Sequence, residues 1–173
     1  MKNLENLTIR KLNLNKDISN KYLNWMNDKN IHKYTEQKYI KHTLNSIRKF
    51  VKEKNESKNQ FLYGIFINRN NLKIHIGNIK LGPINFVHKR SPISYFIGEK
   101  KFFGKGYATQ AIEKIINVAK KKGLKKLTAG VYEMNAGSKI VLKKNNFKLE
   151  GKLKSQILHR GKRYDLYCYG KII

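Results

Sequence analysis

Gly104 and Gly106 flank Lys105 just ahead of a run with helical periodicity, and this spacing is the first chemistry the chain offers. Glycine has no side chain to bar a ligand from the backbone. The amides of residues 104–108 would face outward where a helix begins, and the helix dipole favours an anion there. The natural ligand of such a loop is a pyrophosphate or a similar group. A P-loop would need Gly-Lys-Ser/Thr after four spacer residues, and that is absent. A dinucleotide fingerprint would need a third Gly or Ala where Thr109 stands, and an acidic residue about twenty positions on, where Lys and Leu surround position 126. A plain helix start after a tight turn uses the same glycines, so the loop alone leaves that reading open.

The elements around the loop follow from periodicity. Ser94-Tyr95-Phe96-Ile97-Gly98 reads as a strand leading into the loop. Ala108, Ala111, Ile112, Ile115 and Ala119 recur at helical spacing and carry a helix to residue 122, with Gly123 beyond it as the stop signal. Upstream, residues 7–12 alternate as a strand, 17–27 form a helix with Ile18, Tyr22, Trp25 and Met26 on one face, and 30–40 form a polar, aromatic connection. Residues 43–53 are a second helix, capped near Thr43 and Ser46, with Leu44, Ile47, Phe50 and Val51 inward. Strands 61–67 and 73–81 turn at Asn68-Arg69-Asn70-Asn71. Strand 127–132, helix 136–144 and a terminal pair, 147–153 and 164–170 with a turn near Arg160-Gly161, complete the chain. The order β-α-α-β-β-β-α-β-α-β-β predicts one α/β domain over residues 1–173: a central mixed, mostly antiparallel twisted sheet of about seven strands with about four helices.

The formal net charge is +27. It points to an anionic partner, whether nucleic acid, membrane surface or small molecule. Lysine outnumbers arginine 32 to 6, and Asn and Ile number 20 each, the pattern an AT-rich genome produces. The lysines are spread along the chain, and a reader of nucleic acid draws more on arginine. Specific nucleic-acid binding is therefore not expected, although a basic nucleic-acid-binding protein is the non-enzyme alternative. No apolar run approaches the roughly 20 residues that span a bilayer. Met1-Lys2-Asn3-Leu4-Glu5 is no signal peptide. A single cysteine, Cys168, suits a reducing cytoplasm and reads as a buried, inert strand residue. No His/Cys/Asp cluster has metal-ligand spacing, so no metal is expected.

Several motifs together resemble the GNAT superfamily of N-acetyltransferases. Lys101-Phe102-Phe103-Gly104-Lys105-Gly106 is similar to its Gln/Arg-x-x-Gly-x-Gly/Ala pattern, with a lysine first. Asn135-Ala136-Gly137-Ser138 follows the next strand, and Asn145-Asn146-Phe147 and Leu149-Glu150-Gly151-Lys152-Leu153 come after it as in relatives. The resemblance spans essentially the whole chain. Trp25-Met26-Asn27-Asp28 and Tyr34-Thr35-Glu36 resemble the ribosomal-protein-acetyltransferase-like branch. The segment 77–85, His88-Lys89-Arg90 and the terminal Phe-x-Leu-Glu-Gly-x-Leu-Lys run look most like enzymes of that branch that acetylate amino sugars on nucleotide carriers.

The resemblance implies acetyl-CoA as co-substrate, lying in a V-shaped opening between strands 93–97 and 127–132. Backbone groups of Phe96 and Ile97 would pair with the pantetheine arm like an added strand. The amides of Gly104, Lys105, Gly106, Tyr107 and Ala108 would hold the pyrophosphate. Asn135 and Ser138 would line the thioester end, and Lys101, Lys105 and Lys139 could meet phosphates. A neutral amine would attack the thioester directly, with a backbone amide near Ile97 holding the carbonyl oxygen. Relatives often carry an acidic Tyr seven residues after the Asn; here that position is Leu142, leaving Ser138, a nearby Tyr or a water for the role. Glu36, Glu133 and His88 are the candidate bases. Tyr34, Glu36, Lys80 and Asn85 are the candidate acceptor contacts. The expected acceptor is an anionic small molecule, a nucleotide-linked amino sugar, with a protein N-terminus or small amine as the enzyme alternative. The expected state is a cytoplasmic monomer or homodimer without membrane insertion.

Overall fold

The computed structural model describes residues 6–173; the N-terminal segment read above for a signal peptide, residues 1–5, lies outside them. Seven strands form one sheet, β1 (Leu7–Lys11), β2 (Phe61–Arg69), β3 (Leu72–Leu81), β4 (Arg90–Ile97), β5 (Lys126–Tyr132), β6 (Lys148–His159) and β7 (Lys162–Ile172), in the order β1-β2-β3-β4-β5-β7-β6. Four α-helices flank it: α1 (Asn20–Asn27), α2 (Leu44–Glu56), α3 (Tyr107–Lys121) and α4 (Ala136–Lys144). All neighbouring strands are antiparallel except β4 and β5. The expected mixed, mostly antiparallel α/β architecture is the one observed.

Local chemistry sets most of the boundaries. Asn70 and Asn71 adopt left-handed φ of 49° and 60°, which a two-residue hairpin turn demands and Asn tolerates. The Thr43 and Ser46 side chains cap each other's backbone amides and start α2. Gly123, at φ 74°, ends α3 just past its cap residue. The first helix begins later than its periodicity suggests. Ser19 is its cap, and Asp17 is instead gripped by both Arg10 guanidinium nitrogens at 2.6 and 3.0 Å and by the Asn13 amide. The terminal hairpin is longer than read. It runs with register shifts to a turn at Arg160 and Gly161. Nearly all of β6 is exposed, so its sequence lacks the apolar alternation that marks a half-buried strand. Two side chains also differ from expectation: Phe50 is exposed, and Cys168 is only half-buried.

Two cores sit on opposite faces of the sheet. The larger packs Ala111, Ile112, Ile115 and Ala119 of α3 against Ile65, Ile76, Ile79 and Leu127. The smaller joins Tyr22 and Trp25 of α1 and Ile47 and Val51 of α2 to Leu62 and Phe66. Each fully buried Ile or Leu contributes about 1.5–3 kcal/mol, so truncating Ile115 to Ala in the α3 face would be costly. The Trp25 indole lies directly on Gly98, where any Cβ would collide with it, and so locks α1 to the end of β4.

Candidate functional site

The parallel pair β4–β5 is joined only at residues 90–92 against 126–128. Past Pro92 the two strands have no registered partner in each other, while β4 stays paired to β3 as far as Ile97. The middle of the sheet therefore opens into a gap with a bare strand edge on its β4 side. The antiparallel ladder decides which groups face it. Pro92 accepts from Gly82 and Gly98 donates to Ile76, both across to β3. With the alternation of the ladder, Ser94 and Phe96 also turn their backbone groups to β3, and Ile93, Tyr95 and Ile97 turn theirs to the gap. Of the two expected backbone partners for a pantetheine arm, Ile97 faces the opening. The Phe96 backbone does not; its ring packs edge-on against His32 at 4.9 Å.

The glycine loop lies at the end of that gap. Gly104 and Gly106 both hold left-handed φ, 72° and 84°, and a Cβ on Gly104 would meet open space. These are backbone shapes that L residues avoid. Gly106 caps α3 without a side chain, leaving the amides of the first helical turn, from Tyr107 on, without intrahelical acceptors. The Tyr107 ring is core, edge-on to Phe102 at 5.3 Å, so only its amide belongs to the loop. Lys105 is exposed beside the glycines, and Lys101 turns its ammonium toward the Phe102 ring. The cradle fits a pyrophosphate on shape and polarity.

Across the gap, Asn135 caps α4 by accepting from the Ser138 amide at 3.1 Å. The Ser138 hydroxyl lies 2.8 Å from that of Tyr95, a residue the sequence did not single out. Burial pushes the Tyr95 phenol up to about 12, tempered by Ser138. Lys139 places its ammonium 3.9 Å from the centre of the Tyr167 ring, away from a phosphate role. Leu142, at 0% exposure, is pure core.

On the α1/α2 face a cavity of about 540 Å³ reaches the gap, with Glu36, Lys80, Phe96, Tyr95, His42 and Lys41 in its wall. Glu36 begins a short 3-10 turn, Glu36–Tyr39, and its carboxylate accepts a hydrogen bond from Tyr132 at the end of β5. Burial, then this bond and the carboxylate's charge, push the Tyr132 phenol far above its ordinary range. Lys80 is lowered by burial and by neighbouring Lys54. The 3-10 turn is held down by Lys38, 3.1 Å from His159 Nδ1, and by the Tyr39 hydroxyl donating to the Leu158 carbonyl. Below it a second cavity, about 560 Å³, shares Met26, Gln37, Ile40 and Lys41 and adds Lys29, Lys38 and Tyr39.

Four expected site residues lie elsewhere. Glu133 accepts from the Asp165 amide at 3.1 Å and stitches β5 to β7. His88 is exposed in a turn whose Asn85 side chain accepts from the His88 amide at 2.8 Å. Neither of these turn residues, nor Tyr34, which sits under the Lys33 ammonium, lines the cavity. What brings Glu36 and Tyr132, or Tyr95 and Ser138, together is tertiary.

The chain matches the family model described as an acetyltransferase (GNAT) domain over residues 6–148. No curated protein matches it. A GNAT-family acetyltransferase structure from Bacillus anthracis superposes with a TM-score of 0.80 at 25% identity, covering 97% of this chain and 95% of that one. A spermidine N-acetyltransferase from Vibrio cholerae, in complex with CoA and spermine, has the same fold with a TM-score of 0.83 at 20% identity, covering 96% and 95%. A ribosomal-protein α-N-acetyltransferase in complex with coenzyme A gives a TM-score of 0.82 at 21% identity, covering 96% and 94%. With its split β4–β5 pair, its glycine cradle and a family match over most of its length, this chain belongs to the GNAT acetyltransferase family.

Proposed function

We propose that this protein is a cytoplasmic, acetyl-CoA-dependent enzyme that acetylates the primary amine of a nucleotide-linked amino sugar. Acetyl-CoA enters the β4–β5 gap, its pantetheine arm adding to the free edge at Ile97 and its pyrophosphate resting on the amides from Gly104 to Ala108. The amino sugar occupies the cavity lined by Glu36, Lys80 and Tyr95. Its neutral amine attacks the thioester carbon, the backbone at Ile97 holds the carbonyl oxygen, and Glu36 takes the amine's proton. Of the three base candidates, Glu36 alone lines the cavity, and its bond to Tyr132 holds it at the border with the gap.

The observation that carries the acceptor class is the charge of the two cavities. The cavity at Glu36 has that one carboxylate among the described residues, already engaged by Tyr132, against Lys41 and Lys80. A polyamine would need carboxylates to replace the water around each ammonium. The second cavity offers Lys29, Lys38 and Lys41 beside Tyr39, 65% exposed, which suits a diphosphate and a stacked base. Its only acid, Asp28, is paired with Lys100 at 2.6 Å.

The test is thiol release from acetyl-CoA with three acceptors: a nucleoside-diphosphate amino sugar, spermidine, and a peptide with a free N-terminus. The amino sugar should give the highest kcat/KM, and Lys41→Ala should weaken it. A preference for spermidine or the peptide would replace this acceptor.

A further inference from the structure

Tyr95 stands where the two halves of the site meet. Its ring packs on the α3 core, its hydroxyl lies 2.8 Å from Ser138 on the first turn of α4, and it also lines the acceptor cavity. It is on the part of β4 that has parted from β5, so the Tyr95–Ser138 bond crosses the gap itself. Ser138 and Leu142 are four residues apart and share one face of α4. Leu142 is wholly buried and has no proton to give, which leaves the hydroxyl pair one turn nearer the helix start as the proton source on that face.

We propose that Tyr95 protonates the sulfur of CoA as the thioester breaks, with Ser138 orienting the phenol. This rests on the acetyltransferase reading above. As the amine nitrogen bonds to the carbonyl carbon, the carbon–sulfur bond breaks and its electron pair stays on sulfur. The Tyr95 O–H proton passes to sulfur and gives the free thiol. The phenolate regains a proton from solvent through the Ser138 hydroxyl, and the proton lost by nitrogen leaves through Glu36. The raised phenol keeps its proton across the neutral range, so the donor is loaded in every turnover. Glu36 and Tyr95 then divide the work, the carboxylate serving nitrogen and the phenol serving sulfur.

Titration of the CoA thiol in its complex with the protein, followed by thiolate absorbance, tests the contact without any acceptor. A hydrogen bond to the thiolate lowers its pKa, so Tyr95→Phe should raise the bound thiol by about one pH unit. The same variant should lose about 100-fold in kcat while acetyl-CoA affinity stays within about threefold. Ser138→Ala should move both readouts the same way and less, and it carries the test if Tyr95→Phe does not fold. An unmoved thiol titration, or an unchanged kcat in a folded Tyr95→Phe protein, overturns the proposal. Wild-type protein that releases no thiol with any amine would overturn the acetyltransferase reading instead, and the thiol titration would still decide whether Tyr95 meets sulfur.

Discussion

The sheet face under α3 is closed by Ala111, Ile112, Ile115 and Ala119, all at 0% exposure. The face under α1 and α2 instead holds a cavity of about 540 Å³, and in its wall the His42 Nε2 atom is buried without a hydrogen-bond partner among the described residues. A buried polar atom left unmatched costs about 1–3 kcal/mol. One face is thus packed for stability and fixes the glycine loop at the start of α3. The other gives up stability around the space where an acceptor would bind, as functional sites tend to. Stability and binding should therefore separate by face.

Gly106→Asp should break the cofactor side most severely. A non-glycine residue at its left-handed φ costs only about 1–2 kcal/mol, so the fold should survive by circular dichroism. A carboxylate in the cradle should nonetheless abolish acetyl-CoA binding, read by calorimetry. Leu142→Ala should do the reverse. It should cost about 2–5 kcal/mol in urea unfolding and leave acetyl-CoA affinity nearly intact. A large loss of kcat in that variant at full occupancy would return a chemical role to this position.

The α1/α2 face should carry an acid sensitivity that the α3 face lacks. Burial, with His42 adding to it, lowers His32 from 6.5 to about 4. Between those values the unfolded chain binds a proton that the folded protein refuses, so stability rises with pH. It is complete above about pH 6.5 and is lost as pH falls toward 4, by about 3 kcal/mol. His75 is lowered by burial as well and acts in the same direction. Replacing His32 by Asn should flatten the curve of unfolding free energy against pH in that window; an unchanged slope would assign the acid sensitivity to other groups. The smallest effect should come from Thr43→Ala, which removes the α2 cap and costs about 1 kcal/mol in thermal unfolding. It should leave kcat/KM untouched.

The same division by face governs what could be read from the chain. The α3 face was legible because its residues repeat at helical spacing and its glycines sit where the backbone turns left-handed. Strand order around the Asn70-Asn71 turn and the Thr43 cap were legible for similarly local reasons. The acceptor side was read less well. Phe50 fits the inward stripe of α2, yet the cavity wall leaves it exposed. Asp17 looks like a helix start, but Arg10, seven residues earlier, claims it. Glu133, His88, Asn85 and Tyr34 had the right chemistry in sequence neighbourhoods close to the site, yet the Glu133 and Asn85 side chains accept from backbone amides, Tyr34 lies under the Lys33 ammonium and His88 is exposed. Tyr132 meets Glu36 across 96 positions of chain, and Tyr95 meets Ser138 across 43. No period or spacing encodes such pairs.

Calorimetric titration of acetyl-CoA at low and at high salt tests the central claim most directly. Saturable binding at both, lost in Gly106→Asp, is the result the split β4–β5 pair and the glycine cradle predict. Absence of that binding, with DNA oligonucleotides bound instead in a strongly salt-dependent way, would contradict the account and make the +27 charge the functional feature.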